Sequence, residues 1–305
     1  FKELRTFASI YVLHKKIKPS LIFNFTLKPN IYSNLSAMIL RIKTISMITG
    51  LGHIFIKANS FYRNIVILLL RLSLKKSYEI WFTNKHDEEY FRKLKIVSQQ
   101  KTSIVPGAGI MINNRNFKRK QNSGPYIFLM ASRLLKEKGA TEFLDAANFF
   151  KNDKSKQFIL VGAHTPNEDH VSKILLDSMN ENNIIDYLPY TDNIESLFAK
   201  ADCVVLPSYR EGMSTVLLEA ASLKIPIITS KVPGCIDIVL NENYGFLCNK
   251  SDTESLINQI IKFTQINNKN PQNIDMMVER TFKHISENFN RSDIIDKYKE
   301  IARSY

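Results

Sequence analysis

The sequence predicts an α/β protein built as two doubly wound parallel-sheet domains facing a cleft, and three features predict it. Short apolar runs alternate with helix-like segments along the whole chain. The runs are continuously apolar rather than alternating, as in strands buried on both faces of a parallel sheet built from βαβ units. A polar, basic, Asn-rich stretch, "INNRNFKRKQNSGP" (112–125), divides the series in two, and 305 residues exceed what one core commonly reaches, ~250–300 residues.

Each element follows in order. The chain opens on a helical pattern, "FKELRTFASIYVLHKKI". Strands are expected at "SLIFNF" (20–25), "TISMIT" (44–49), "EIWFT" (79–83) and "TSIVP" (102–106), with helices near 30–40, 61–77 and 86–95. After the polar stretch come strand "YIFLMAS" (126–132), helix 140–151, strand "QFILVG" (157–162), helix 168–180, strand-like "IIDYL" (184–188) and helix 193–200. Strand "CVVLP" (203–207), helix 214–223, strand "PIITS" (226–230) and helix 252–264 follow. The segment 273–305 reads as helical, anchored by Phe289 and Tyr298. The domains are expected at 1–120 (acceptor side, incomplete) and 121–285 (nucleotide side), with 286–305 a helix packing back toward the first domain.

Composition narrows the function classes. Hydrophobic residues make up 44% of the chain, enough for ordinary cores and against wholesale disorder. Cys203, Cys235 and Cys248 are far apart, and the six histidines show no metal spacing, which argues against a zinc site or disulfide framework. The longest apolar run, "IVILLL" (65–70), is far short of the ~18 residues that span a bilayer. Charge is divided unequally: residues 1–120 hold 22 Lys and Arg against 5 Asp and Glu, and residues 121–305 hold 20 against 24. That asymmetry points to an anionic partner for the first half: membrane lipid, nucleic acid or a phosphorylated substrate. The competing reading is a Lys-rich coding bias, which acts on both halves alike.

Ligands of such sheets bind outside the carboxyl ends of strands, so the loops there carry the candidate chemistry. In "MASRLLKEKGATEF", Arg133 and Lys138 bracket a strand-to-helix turn; a planar fork and a mobile point charge together suit a diphosphate. The alternative is two solvated cations paired with Glu137 or Glu142. In "CVVLPSYREGMSTVLLEAASLKIP", a helix is expected to begin near Ser214, capped by Ser214 or Thr215. Its free N–H groups and dipole make a phosphate site. Glu211 precedes the helix and can accept from hydroxyls. Glu219, one turn in, leans toward the helix N-terminus and can reach a ribose; otherwise these are an acid on the dipole and a surface glutamate. Val232-Pro233-Gly234 marks a turn, and Cys235 reads as a packed thiol rather than a nucleophile. In "MITGLGHIF", Gly50 and Gly52 follow a strand, where the backbone can approach a substrate, and His53 is either catalytic or structural.

The run of "ASRLLKEKG", "FILVG", "ADCVVLPSYREGMSTVLLEA", "PIITSKVPGC" and "NYGFL" resembles the retaining glycosyltransferases of family 4, which have the GT-B fold of two Rossmann-like domains. "TLKPNIYSNLSA", "ITGLGHIF" and "VPGAGI" are similar to a subgroup acting on undecaprenyl-diphosphate-linked sugars in surface polysaccharide, lipopolysaccharide and capsule assembly. The resemblance implies that Glu211 meets the donor sugar and Glu219 the nucleotide ribose, as the EX7E pair. It implies that Arg133 and Lys138 hold the donor diphosphate and that backbone amides at Met213, Ser214 and Thr215 complete the cradle, with no metal and no cofactor. The acceptor-side loop would hold Gly50, Gly52 and His53. Three positions depart from the family pattern: Thr49 stands where many members have His, Met213-Ser214 replaces the usual hydrophobic-Pro pair, and the first strand with its Gly-rich loop has no counterpart. The chain thus looks N-terminally truncated, and the expectation is either a chain that binds UDP weakly and is inactive alone or one that represents only part of the working enzyme.

The expected function is retaining transfer of a hexose or N-acetylhexosamine from a UDP-sugar to a polyprenyl-diphosphate-linked saccharide acceptor. The expected location is cytoplasmic, peripheral on the anionic inner face of the membrane, with "FYRNIVILLLRLSLKKS" either an amphipathic membrane-facing segment or a core helix with exposed cations. No nucleic-acid module is present. The alternatives are a nucleotide-sugar epimerase on the GT-B fold and a non-catalytic glycan- or nucleotide-binding protein.

Overall fold

The computed structural model of the chain describes residues 2–51, 55, 60–112, 124–164 and 171–305. They form two compact units, Phe1–Ala108 with Ser292–Tyr305, and Gly109–Arg291.

The first unit runs α1 (Lys2–Ile17), β1 (Leu21–Phe25), α2 (Leu27–Leu40), β2 (Lys43–Ile48), α3 (Ser60–Leu74), β3 (Glu79–Phe82), α4 (Lys85–Lys93) and β4 (Thr102–Ile104). The strands pair in sequential order, all parallel. Successive side chains on a strand point to opposite faces, so each strand feeds two cores. Ile48, Ile80 and Phe82 meet Ile31 of α2, Leu70 and Leu74 of α3 and Phe91 of α4. Ile45, Met47 and Trp81 face the other way, onto Ile294, Tyr298 and Ile301 of the last helix, α11 (Arg291–Arg303). The polar residues of "TLKPNIYSNLSA" pin α2 to the strands. Asn30 Nδ2 donates to Thr26 O (2.7 Å) and Met47 O (2.9 Å), while Asn34 Nδ2 donates to Ser46 Oγ (2.8 Å) and Asn34 Oδ1 accepts from Asn24 (2.7 Å).

The second unit holds β5 (Tyr126–Ala131), a 3-10 turn (Lys136–Lys138), α5 (Ala140–Phe149), β6 (Lys156–Val161), α6 (Lys173–Glu181), β7 (Asp186–Leu188) and α7 (Ile194–Lys200). Then come β8 (Cys203–Leu206), α8 (Thr215–Ser222), β9 (Ile227–Ser230), β10 (Phe246–Cys248), α9 (Thr253–Lys269) and α10 (Pro271–Asn288). Its parallel sheet has the order β10-β9-β8-β5-β6-β7. The short strand β10, only three residues long, is absent from the sequence-based reading.

Both expected domain boundaries move. The first unit ends at Ala108 rather than 120, because Ile110 N–H donates to Phe289 O (2.8 Å) and Arg291 N–H to Ile110 O (2.9 Å), tying 109–112 to the end of α10. The second unit extends to Arg291 rather than 285, because α10 runs unbroken to Asn288 and Phe289 is buried in the second core. Most of the expected linker, 113–123, lies outside the described residues.

Candidate functional site

Strand order in the second unit reverses between β5 and β8, which pair through Phe128↔Cys203 and Leu129↔Val204. Loops leaving two such strands part toward opposite faces and open a crevice at their carboxyl ends. The loop after β5 (132–139) and the loop after β8 (207–214) are therefore its walls.

Two glycines let these loops approach their neighbours. Gly139 has φ +77°, and a Cβ there would stand 2.2 Å from Pro207 O. Gly234, in the loop after β9, has φ +79°, and a Cβ would stand 2.6 Å from Glu211 O. Side chains cannot occupy such space, and L-residues rarely adopt such φ values. Backbone bonds complete the fixation: Tyr209 N–H donates to Glu137 O (2.8 Å) and Glu211 N–H to Pro233 O (3.2 Å).

Fixed in this way, Lys138 and Glu211 meet. Lys138 Nζ lies 2.7 Å from both carboxylate oxygens of Glu211, and Ser208 Oγ donates to Glu211 Oε1 at 2.7 Å. The side chains are 18% and 9% exposed, so the pair sits largely out of water. Lys138 thus does not pair with Glu137 or Glu142, the partners of the solvated-cation alternative. Arg133, five residues earlier, is exposed, and its guanidinium has no partner among the described residues.

Helix α8 begins where the sequence places it. Ser214 is the cap, its Oγ accepting from Leu217 N–H at 3.3 Å. The N–H groups of Thr215 and Val216 have no i−4 acceptor within the helix and mark its positive end. Met213 is half-buried against the core and Thr215 is exposed. Glu219, one turn in, is half-buried and accepts no hydrogen bond from the described residues. Burial raises its carboxyl above the ordinary value, Arg291 opposes that shift and Glu195 adds to it. No hydrogen bond or ion pair joins Glu219 to the Lys138–Glu211 pair among the described residues.

Three contributors escape the sequence reading. Arg291 lies 72 positions from Glu219 and belongs to no motif. Ser208 stands inside "PSYREG", where a hydroxyl three residues before the acid is the available signal. Tyr209 donates to Glu142 Oε1 at 2.5 Å, a pairing that only the fold creates. Cys235 is fully buried beside Glu211, and burial pushes its thiol far up, which removes it as a nucleophile. On the first unit, Gly50 follows β2 with φ +139°, while Gly52 and His53 lie outside the described residues. Among the described residues no three His, Cys, Asp or Glu gather as metal ligands, and no helix is long and apolar enough to cross a membrane.

Comparison with known proteins identifies the family and the fold. The chain is 27% identical over 282 residues to the Campylobacter jejuni N,N'-diacetylbacillosaminyl-diphospho-undecaprenol alpha-1,3-N-acetylgalactosaminyltransferase, covering 85% of this chain and 72% of that one. It is 25% identical over 317 residues to the Escherichia coli UDP-Gal:alpha-D-GlcNAc-diphosphoundecaprenol alpha-1,3-galactosyltransferase, covering 98% and 79%. Anabaena Alr3699/HepE, solved with UDP and glucose, superposes with a TM-score of 0.78 at 17% identity, over 99% of this chain and 81% of that one. At that identity the likeness establishes the two-unit GT-B fold and nothing finer. The family Glycosyl transferases group 1 matches residues 112–277, a run that carries both walls of the crevice and more than half of the chain, and the chain belongs to that family.

Proposed function

We propose that this glycosyltransferase moves a hexose or N-acetylhexosamine from a UDP-sugar to a hydroxyl of a polyprenyl-diphosphate-linked saccharide, with anomeric configuration retained. The observation that carries the reading is the Lys138–Glu211 pair, largely buried at the switch point of the second unit beside the N-terminus of α8. Two relatives are named for transfer to diphospho-undecaprenol acceptors and a solved neighbour holds UDP, which supports the substrate classes.

In this reading Arg133, Lys138 and the amides of Met213–Thr215 bind the donor diphosphate. Glu211 accepts from a sugar hydroxyl and Glu219 from the ribose. Both oxygens of Glu211 already accept strong hydrogen bonds from Lys138 and Ser208. A carboxylate so held orients a sugar well but is a poor nucleophile, which favours departure and attack on one face. The leaving phosphate takes the acceptor's proton, while fixed cations and the helix end stabilise its charge. No metal ion or cofactor is required, because these groups supply the positive charge.

The acceptor's lipid asks for a membrane-facing surface, and the basic first unit offers one on α3. The protein would then act as a peripheral enzyme on the anionic cytoplasmic leaflet. The test is transfer from UDP-sugars to polyprenyl-diphosphate saccharides, with product configuration read by NMR. Glu211→Gln and Arg133→Ala are expected to lower kcat by about 10²–10³. Turnover unchanged by either substitution, or an inverted product, overturns the reading.

A further inference from the structure

The loop that carries Glu211 is held by a side-chain strut the reaction does not use. Tyr209, two residues before Glu211, donates its phenol to Glu142 Oε1 at 2.5 Å. Glu142 sits in the first turn of α5, the helix entered directly from Lys138 and Gly139. The strut therefore joins the two chain segments whose meeting brings Lys138 Nζ to Glu211. It works beside two backbone restraints, Tyr209 N–H to Glu137 O and the close approach of Gly139 to Pro207 O.

Glu142 is costly to stability where it stands. It is 6% exposed, and its Oε2 is buried with no hydrogen-bond partner among the described residues. A buried unpaired oxygen of this kind costs about 1–3 kcal/mol. Its place at the N-terminal end of α5 offsets part of that through the helix dipole. Buried polar groups that break the rule of satisfaction call for a reason beyond packing. Here the reason is geometric: a phenol–carboxylate bond fixes direction as well as distance, which an apolar pair of the same volume would not.

We propose that Tyr209 and Glu142 are positioning residues for the sugar-side carboxylate: their hydrogen bond locks the 207–212 loop so that Glu211 stays on Lys138 during transfer. Burial and the Glu142 carboxylate both raise the phenol above its ordinary value, so the proton that makes the bond is retained across the physiological range. Asp145 and Ser251 are its other polar neighbours. The inference rests on the donor-site reading above.

Two measurements keep it separable from that reading. Amide hydrogen exchange of 208–212 in Tyr209→Phe and Glu142→Ala should accelerate at least about tenfold, with β5, β8 and α5 unchanged. In transfer assays both variants should lose about 10- to 100-fold in kcat, with the UDP dissociation constant within about twofold of the parent. The double variant should fall no further than either single one, as expected for two ends of one bond. Glu142→Gln, which keeps an acceptor for the phenol, should recover most of the rate. Unchanged exchange at 208–212 overturns the strut whatever the activity. Faster exchange with parental kcat, or additive losses in the double variant, overturns the positioning role. A parent chain that exchanges normally yet shows no UDP binding at all would instead overturn the donor-site reading, leaving exchange to decide the strut.

Discussion

Glu219 shows how a single side chain can be useful and destabilising at once. Burial raises its carboxyl, and the positive charge of Arg291 corrects that only in part. An acid whose folded-state value lies above its unfolded value favours the protonated form on folding. That contribution is complete below the ordinary value of 4.5 and is lost as pH rises through the folded value. Glu219→Gln is neutral throughout, so it should melt higher than the parent near neutrality and no differently well below the ordinary value. Its UDP affinity should nevertheless fall about tenfold or more, as expected when a charged acceptor is lost. Melting curves at the two pH values with UDP titration at neutrality check this; a variant less stable at neutral pH would show that Glu219 is paired rather than strained. Glu211, Lys138 and Ser214 were legible from the sequence because strand-end loops and capping follow local rules. The Arg291–Glu219 and Tyr209–Glu142 neighbourhoods were not, since each joins residues 67 or more positions apart that share no motif.

Periodicity leaves open whether α3 is a membrane-facing segment or a core helix; the structure shows one row buried in the core and a second apolar row exposed. Ile67, Leu70 and Leu74 are buried against the sheet, with Leu70 and Leu74 at 0% exposure. Phe61, Ile65, Leu68 and Leu72, spaced i, i+4, i+7 and i+11, form a second row, and all four are exposed. At 3.6 residues per turn these rows lie on opposite sides of the helix. Arg71, Lys75 and Lys76 follow on exposed positions near its C-terminal end. A helix apolar all round reads as buried in a sequence, and only the register of its neighbours decides which row is covered. Exposed apolar side chains beside cations suit the interface of an anionic bilayer. Leu68→Glu with Leu72→Glu should abolish sedimentation with vesicles containing anionic lipid while leaving the melting temperature near the parent's. Leu70→Ala should do the reverse, costing about 2–5 kcal/mol and leaving vesicle binding intact in the folded fraction. Vesicle binding unaffected by the double glutamate variant would remove α3 from the membrane reading.

At the scale of the molecule the two units use the chain differently. The second is one continuous run, Gly109–Arg291, whereas the first needs both Phe1–Ala108 and Ser292–Tyr305. The return of the C-terminal helix to the first unit was legible in its apolar residues, but its starting point was not. The break at Phe289–Asn290 comes from the bridge between Ile110 and Asn290, a pairing of residues 180 positions apart. What α11 contributes is a lid on one face of the first sheet: Tyr298 packs on Trp81 at 4.8 Å between ring centroids and on Phe23 at 5.2 Å, and Ile294 is 7% exposed. Fully burying a side chain such as Ile294 contributes about 1.5–3 kcal/mol, and the partly buried Tyr298 and Ile301 add to it, a sizeable share of a domain's usual 5–15 kcal/mol. Deleting Ser292–Tyr305 should therefore unfold the first unit and uncover Trp81, the chain's single tryptophan, shifting its fluorescence to the red. The second unit keeps every residue proposed to bind the donor, so UDP should still raise its melting transition, by about 2.7 kcal/mol at a hundredfold excess over Kd. Loss of both tryptophan burial and UDP stabilisation on that deletion would mean that the units fold as one, and that the donor site depends on a segment with which it shares no residue.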